Sequence, residues 1–292
     1  MTRPGRLLAM IAVAALAAGG AFAAASSSPQ PGMRFNANAA MALIREQLAY
    51  GQRPAGSPQL RALADKLRPL LPGGHFEPLP DWPGLRDIVG QLPGGEPAVL
   101  IGAHYDTLAS PKGFLGANNG AAGTAIVIEL ARELAQMHRP AGAPAVVFAL
   151  FDGEEPASGL PEQYSNFYDT GLRGSRAYVG AHPDDERAMI LLDYVAGKGL
   201  QLPREESSTP SLWARVTGAG AQVGASSIFP NTVGPDIIDD QTPFLNQGIP
   251  AVDMIDWRYP GHTLRDTYAA LSEHSVLLVG RTLLQLLTTR WR

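Results

Sequence analysis

Four stretches of the chain are apolar almost without interruption: AVLIGA (98–103), AVVFALF (145–151), AMILL (188–192) and AVDMIDW (251–257). Short continuous apolar runs bounded by Gly, Pro and polar residues read as strands buried on both faces. A fifth strand is predicted at RDIVGQL (86–92). Between them lie stretches whose apolar positions recur at helical spacing: NGAAGTAIVIELARELAQM (119–137), LWARVTGAGAQVG (212–224) and a long amphipathic segment over 272–290. Two further helices are predicted over 37–50 and 57–71, joined by the loop GQRPAGSP, whereas residues 72–84 are rich in Pro and Gly and read as irregular. Strands alternating with helices predict an α/β fold: a three-layer sandwich with a mostly parallel mixed sheet covered by helices on both faces. No repeat and no boundary interrupts residues 37–292, read as one catalytic domain. Residues 153–171 and 227–248 are polar insertions of the kind that wall active sites.

Residues 1–25 stand apart from this pattern. Arg3 and Arg6 precede an apolar run that ends in Ala21-Phe22-Ala23. A basic start, an apolar stretch and small residues at the end make a cleaved signal peptide, followed by a Ser/Pro/Gly linker over 26–36. The expected location is therefore secreted or in the cell envelope, with no membrane attachment after cleavage. Loss of the two arginines takes the net charge from −4 to −6. No basic block offers a surface for nucleic acid. The chain has no cysteine, so any metal must be held by His, Asp and Glu.

Each of the four buried strands is followed closely by residues that bind metal or move protons. AVLIGA leads to His104 and Asp106, AVVFALF to Asp152, Glu154 and Glu155, AMILL to Asp193, and AVDMIDW to His262. The carboxyl ends of parallel strands share one edge of a sheet, which is where ligands bind in such folds. Imidazoles and carboxylates gathered there suit zinc, which activates water and polarises a carbonyl while a separate carboxylate takes the proton. Neighbouring Glu154 and Glu155 fit that division of labour, and Asp106 is placed to orient His104. Asn118 and Asn119 could equally be helix caps. His75, His138, His182 and His274 fall in loops or on helix faces and read as surface residues. No phosphate loop follows a strand, and Ser175 lacks the strand-turn-helix setting of a serine nucleophile.

The order HYD, GANN, GEE, LLD and GHT resembles the zinc aminopeptidases of metallopeptidase family 28, which include the glutaminyl cyclases. The resemblance runs from about residue 37 to the end. GQRPAGSP, LFDGEE, LRGSRAYV and DDQTPFLNQGIPAVDMID look most like the cyclase branch and its bacterial relatives. It implies a zinc-exopeptidase-like fold in which His104 and Asp193 hold one metal position, and Glu155 and His262 the other. Glu154 is then the general base, Asp106 orients His104, and Asp240, with Asp239, binds the substrate's amine, a turn cap being the alternative for these two. The residue shared by both metals would be an Asp at position 119, where this chain has Asn119. One zinc ion is expected, two remaining possible, with Glu155 and His262 as its main ligands and Asn119 a weak third.

A second departure concerns the pocket. The cyclases carry a Trp immediately before the last His ligand, where this chain has Gly261, and another Trp shortly after the Glu pair, where PASGLPEQ follows here. Without those walls water attack is the easier expectation, because cyclisation must keep water away from the reacting carbonyl. The leading reading is aminopeptidase-type hydrolysis of peptides with a free amino end. A glutaminyl-peptide cyclotransferase is the alternative, and a metal-weakened inactive relative that binds a peptide or a protein partner is the third.

Overall fold

The computed structural model of the chain describes residues 34–157 and 167–291. The expected signal peptide and all but the last residues of the expected linker lie outside these. Six strands form one sheet: β1 (His75–Pro78), β2 (Arg86–Leu92), β3 (Gly95–His104), β4 (Pro144–Phe151), β5 (Glu186–Asp193) and β6 (Ala251–Ile255). Their order across the sheet is β1-β2-β4-β3-β5-β6. The central pairs β4/β3, β3/β5 and β5/β6 are parallel, and β1 and β2 add an antiparallel margin. The four apolar runs are the four parallel strands.

Eight helices accompany the sheet among the described residues: α1 (Ala37–Leu48), α2 (Pro58–Leu67), α3 (Ala121–Gln136), α4 (Phe167–Thr170), α5 (Arg173–Ala181), α6 (Pro210–Gln222), α7 (Thr242–Asn246) and α8 (Glu273–Leu287). Side chains alternate across β3. Val99, Ile101 and Ala103 pack into a large core with residues of α1, α2, α3, α6 and α8. Ala98 and Leu100 face a smaller core with Tyr178 and Val179 of α5 and Phe244 of α7. Period-two alternation across a sheet buried on both sides gives three layers, as the sequence pattern predicts. Side chains cap three helices: Asn36, Ser57 and Ser272 accept the N–H of Ala39, Leu60 and Ser275.

Residues 72–84 are not wholly irregular, since they contain β1. This edge strand is never fully buried, so its four residues lack the apolar signature by which the inner strands are recognised. No helix of the described residues is long and apolar enough to cross a membrane.

Candidate active site

The carboxyl ends of the parallel strands bring the expected residues together. His104 ends β3 and Asp193 ends β5, and His104 Nε2 lies 3.6 Å from Asp193 Oδ1. Glu155 follows β4 and His262 follows β6, and His262 Nε2 lies 3.5 Å from Glu155 Oε1. Two ligands bonded at 2.0–2.2 Å to one tetrahedral zinc stand about 3.3–3.6 Å apart, so each pair has the spacing zinc requires. Both ring nitrogens of His104 and Glu155 Oε2 are buried without a hydrogen-bond partner. Orphaned polar atoms of this kind are rare and call for a missing partner. In type and spacing each pair supplies two of the donors that zinc takes.

The set also stops short. Among the described residues no three His, Asp or Glu side chains converge on one point as a metal would need. Position 119, where the resemblance places a carboxylate, holds an amide. Asn119 Nδ2 donates to Glu155 Oε1 at 2.7 Å. Turning the amide over would set its oxygen against a carboxylate oxygen, so Asn119 is oriented as a donor to Glu155. The cap reading fails: α3 is capped by Gly120 without a side-chain bond, and Asn118 Oδ1 instead accepts Ala196 N–H.

Asp106 accepts the backbone N–H of Glu154 at 3.2 Å and of Glu155 at 3.3 Å, fixing the turn that carries the pair. Its Oδ1 also stands 3.4 Å from His104 Nδ1, beside the imidazole but without a hydrogen bond to it. Gly120 makes this packing possible: at φ +90° it lies so near that a Cβ would sit 2.6 Å from the Asp106 carbonyl oxygen. Glu154 Oε2 is 3.6 Å from the same ring nitrogen, His104 Nδ1. Burial pushes the proton affinity of Glu154 well above that of an ordinary carboxyl group, against the opposing pull of His104. Burial alone would lower the His104 pKa, but Glu154, Asp106 and Asp193 outweigh it and raise it. Asp240 accepts from Ser175 Oγ, its Oδ2 is unpartnered, and burial lifts its pKa to about 7. Asp239 and Asp253 are raised by burial too.

Two residues of this centre carry no local signal in the sequence. Asp266 accepts the N–H of Asn118 at 2.8 Å and of Asn119 at 3.1 Å, and the Tyr259 hydroxyl at 2.6 Å, anchoring the GANN loop from almost 150 residues away. Tyr194, next to Asp193, adopts φ +48°, a strained value for a side chain of its size. Its ring meets that of His262 edge-on at 6.2 Å, and a Cβ on Gly261 would overlap Tyr194 Cζ and its hydroxyl. The space above Gly261 is thus filled by the ring of Tyr194, which comes from a different strand end. The second position, within PASGLPEQ, falls largely in residues 158–166, outside the described residues.

Against known proteins, the model of peptidase family M28 matches residues 87–287. Among solved structures, the glutaminyl cyclase of Fimbriiglobus ruber is 27% identical, with 87% of this chain and 95% of that chain covered and a TM-score of 0.72. The Porphyromonas gingivalis glutaminyl cyclase is 26% identical over 87% of this chain and 98% of that chain, with a TM-score of 0.73. A Zn-dependent exopeptidase from Parabacteroides distasonis shares the fold at 24% identity, 88% and 99% coverage and a TM-score of 0.75. A comparison with curated proteins gives no match. With the family model covering more than half of its length, the chain belongs to peptidase family M28.

Proposed function

We propose that this chain is a zinc-dependent enzyme that acts at the free amino end of peptides, hydrolysing the first peptide bond. The observation that carries the reading is the placement of Glu154: adjacent in sequence to one ligand pair and 3.6 Å from the histidine of the other. Glu155 and His262, or His104 and Asp193, would hold zinc, which would supply a Lewis acid for the scissile carbonyl and lower the pKa of water towards neutral. Glu154 takes the proton from the attacking water and passes it to the departing amine, a task suited to a carboxyl group whose proton affinity burial has raised. Asp240, with Asp239 beside it, receives the ammonium of the substrate's amino end. Asp106 holds the Glu154–Glu155 turn in place through the two backbone bonds. Export through residues 1–25 belongs to the same proposal, and amino-terminal sequencing of the mature protein tests it.

The test of the central role is Glu154→Gln. Turnover on amino-acid amides should fall by roughly 10²–10⁴-fold while zinc content stays at the wild-type level. Wild-type activity in the variant would remove Glu154 from the mechanism.

Tyr194 favours a second reading. Its ring restores an aromatic surface beside His262, and glutaminyl cyclases are among the structures similar to this chain. A peptide beginning with Gln separates the two: cyclisation releases ammonia and leaves the peptide whole, whereas hydrolysis releases free amino acid. The Asn119–Glu155 bond favours the third, an inactive peptide-binding relative, for which neither product forms and zinc is lost on dialysis.

A further inference from the structure

The opposite edge of the sheet, where the parallel strands begin, holds a cavity of about 660 Å³. Its apolar wall is formed by Val89 of β2, Ala98 of β3 and Val147 of β4, all part of the smaller core. Glu186, the first residue of β5, lines it as well and is only 5% exposed. Glu186 Oε1 accepts the Tyr178 hydroxyl at 2.6 Å, but Glu186 Oε2 is buried with no hydrogen-bond partner. Tyr178 stacks on His182 with ring centroids 4.4 Å apart. His182 bridges two other acids of the cavity, with Nδ1 2.9 Å from Asp185 Oδ2 and Nε2 3.1 Å from Glu77 Oε2. The guanidinium of Arg187 is turned to the carbonyls of Pro97 and Trp291. The one deeply buried acid of the cavity therefore keeps a free oxygen.

That combination selects a ligand. A desolvated carboxylate oxygen is costly unless a cation or donor meets it. The apolar wall suits a hydrocarbon stem, as the stems of Lys and Arg lie along apolar surface with only the head polar. The volume falls in the range of small-molecule sites, about 300–1,000 Å³. The acids exclude an anion, and the described residues gather no trio of donors able to hold a metal. We propose that this cavity binds an ammonium or guanidinium group on an aliphatic stem, with Glu186 Oε2 as its acceptor: a site for a basic side chain of a peptide, remote from the strand-end centre and independent of what that centre catalyses.

The test is calorimetric titration of the full chain with Nα-acetyl-lysine amide, whose blocked α-amine keeps it from imitating a free amino end. The uncharged Nα-acetyl-norleucine amide is the control. Binding of the lysine compound should exceed that of the control, and fall on Glu186→Gln, by about 10–100-fold, as for a hydrogen bond to a charged group. Tyr178→Phe guards against simple structural damage. It frees the second oxygen of Glu186 and should keep or tighten binding, whereas a disrupted wall would weaken it as Glu186→Gln does. Cadaverine identifies the source: weaker binding than the lysine compound points to a peptide side chain, and tighter binding to a free polyamine. Equal binding of lysine and norleucine compounds, no binding at millimolar concentration, or indifference to Glu186→Gln would overturn the proposal.

Discussion

The side-chain amide of Asn119 lies against Glu155 at 2.7 Å, where a carboxylate in its place would leave two like charges in contact. Such a pair is tolerable only with a cation between its members. Asn119→Asp should therefore lower the melting temperature of the metal-free protein and raise zinc affinity by at least about 10-fold, measured by thermal scans and chelator competition. Gly261 carries an opposite constraint. Because Tyr194 fills the space above it, Gly261→Trp should cost about 1–3 kcal/mol through overpacking, read from denaturant unfolding. His182 offers a third residue-scale prediction. Its two acidic partners hold its pKa above 6.5 although burial opposes them. A histidine raised in the folded state stabilises fully below its unfolded value, and the contribution is lost as pH climbs through the folded one. His182→Gln should remove that part of the decline in stability above about pH 6.5.

Elements whose signal is local were legible, and those that depend on distant partners were not. The parallel strands β3, β4, β5 and β6 announce themselves because both faces are buried, and the ligand-type residues follow from where those strands stop. Edge strand β1 and the short helix α7 have no such signature, and α5, written RGSRAYVGA, hides its one buried face among Gly, Ser and Arg. In the site, His104, Asp193, Glu155 and His262 could be named from their positions. The donor role of Asn119 could not, since it depends on which atom of Glu155 it meets. The start of α3 is a similar case: its preceding loop is tied down by Asp266, which no nearby residue advertises. Asp266→Asn should cost about 1.5–3 kcal/mol, the scale of hydrogen bonds to a charged group, and should loosen the GANN loop in hydrogen exchange.

Across the molecule the strand-end edge concentrates buried acid. Asp152 and Asp240 are pushed by burial to about 7, and Glu154, Asp239 and Asp253 are raised in the same direction. Carboxyl groups raised in the folded state take up protons on folding, so stability is greatest while they are protonated and falls as pH rises through their folded values. The metal-free protein should accordingly lose stability from about pH 4 to about pH 7, and zinc should flatten that slope by offsetting the charge. The same excess of acid explains why a fold with incomplete metal pairs still calls for a cation at this edge. The most direct test is zinc binding by the wild-type chain and by Asn119→Asp, measured side by side by equilibrium dialysis with metal analysis. At most one zinc per chain held weakly by the wild type, and tighter binding by the variant, is the predicted result. Two zinc ions held by the wild type as firmly as by the variant, or no zinc bound by either, would contradict it.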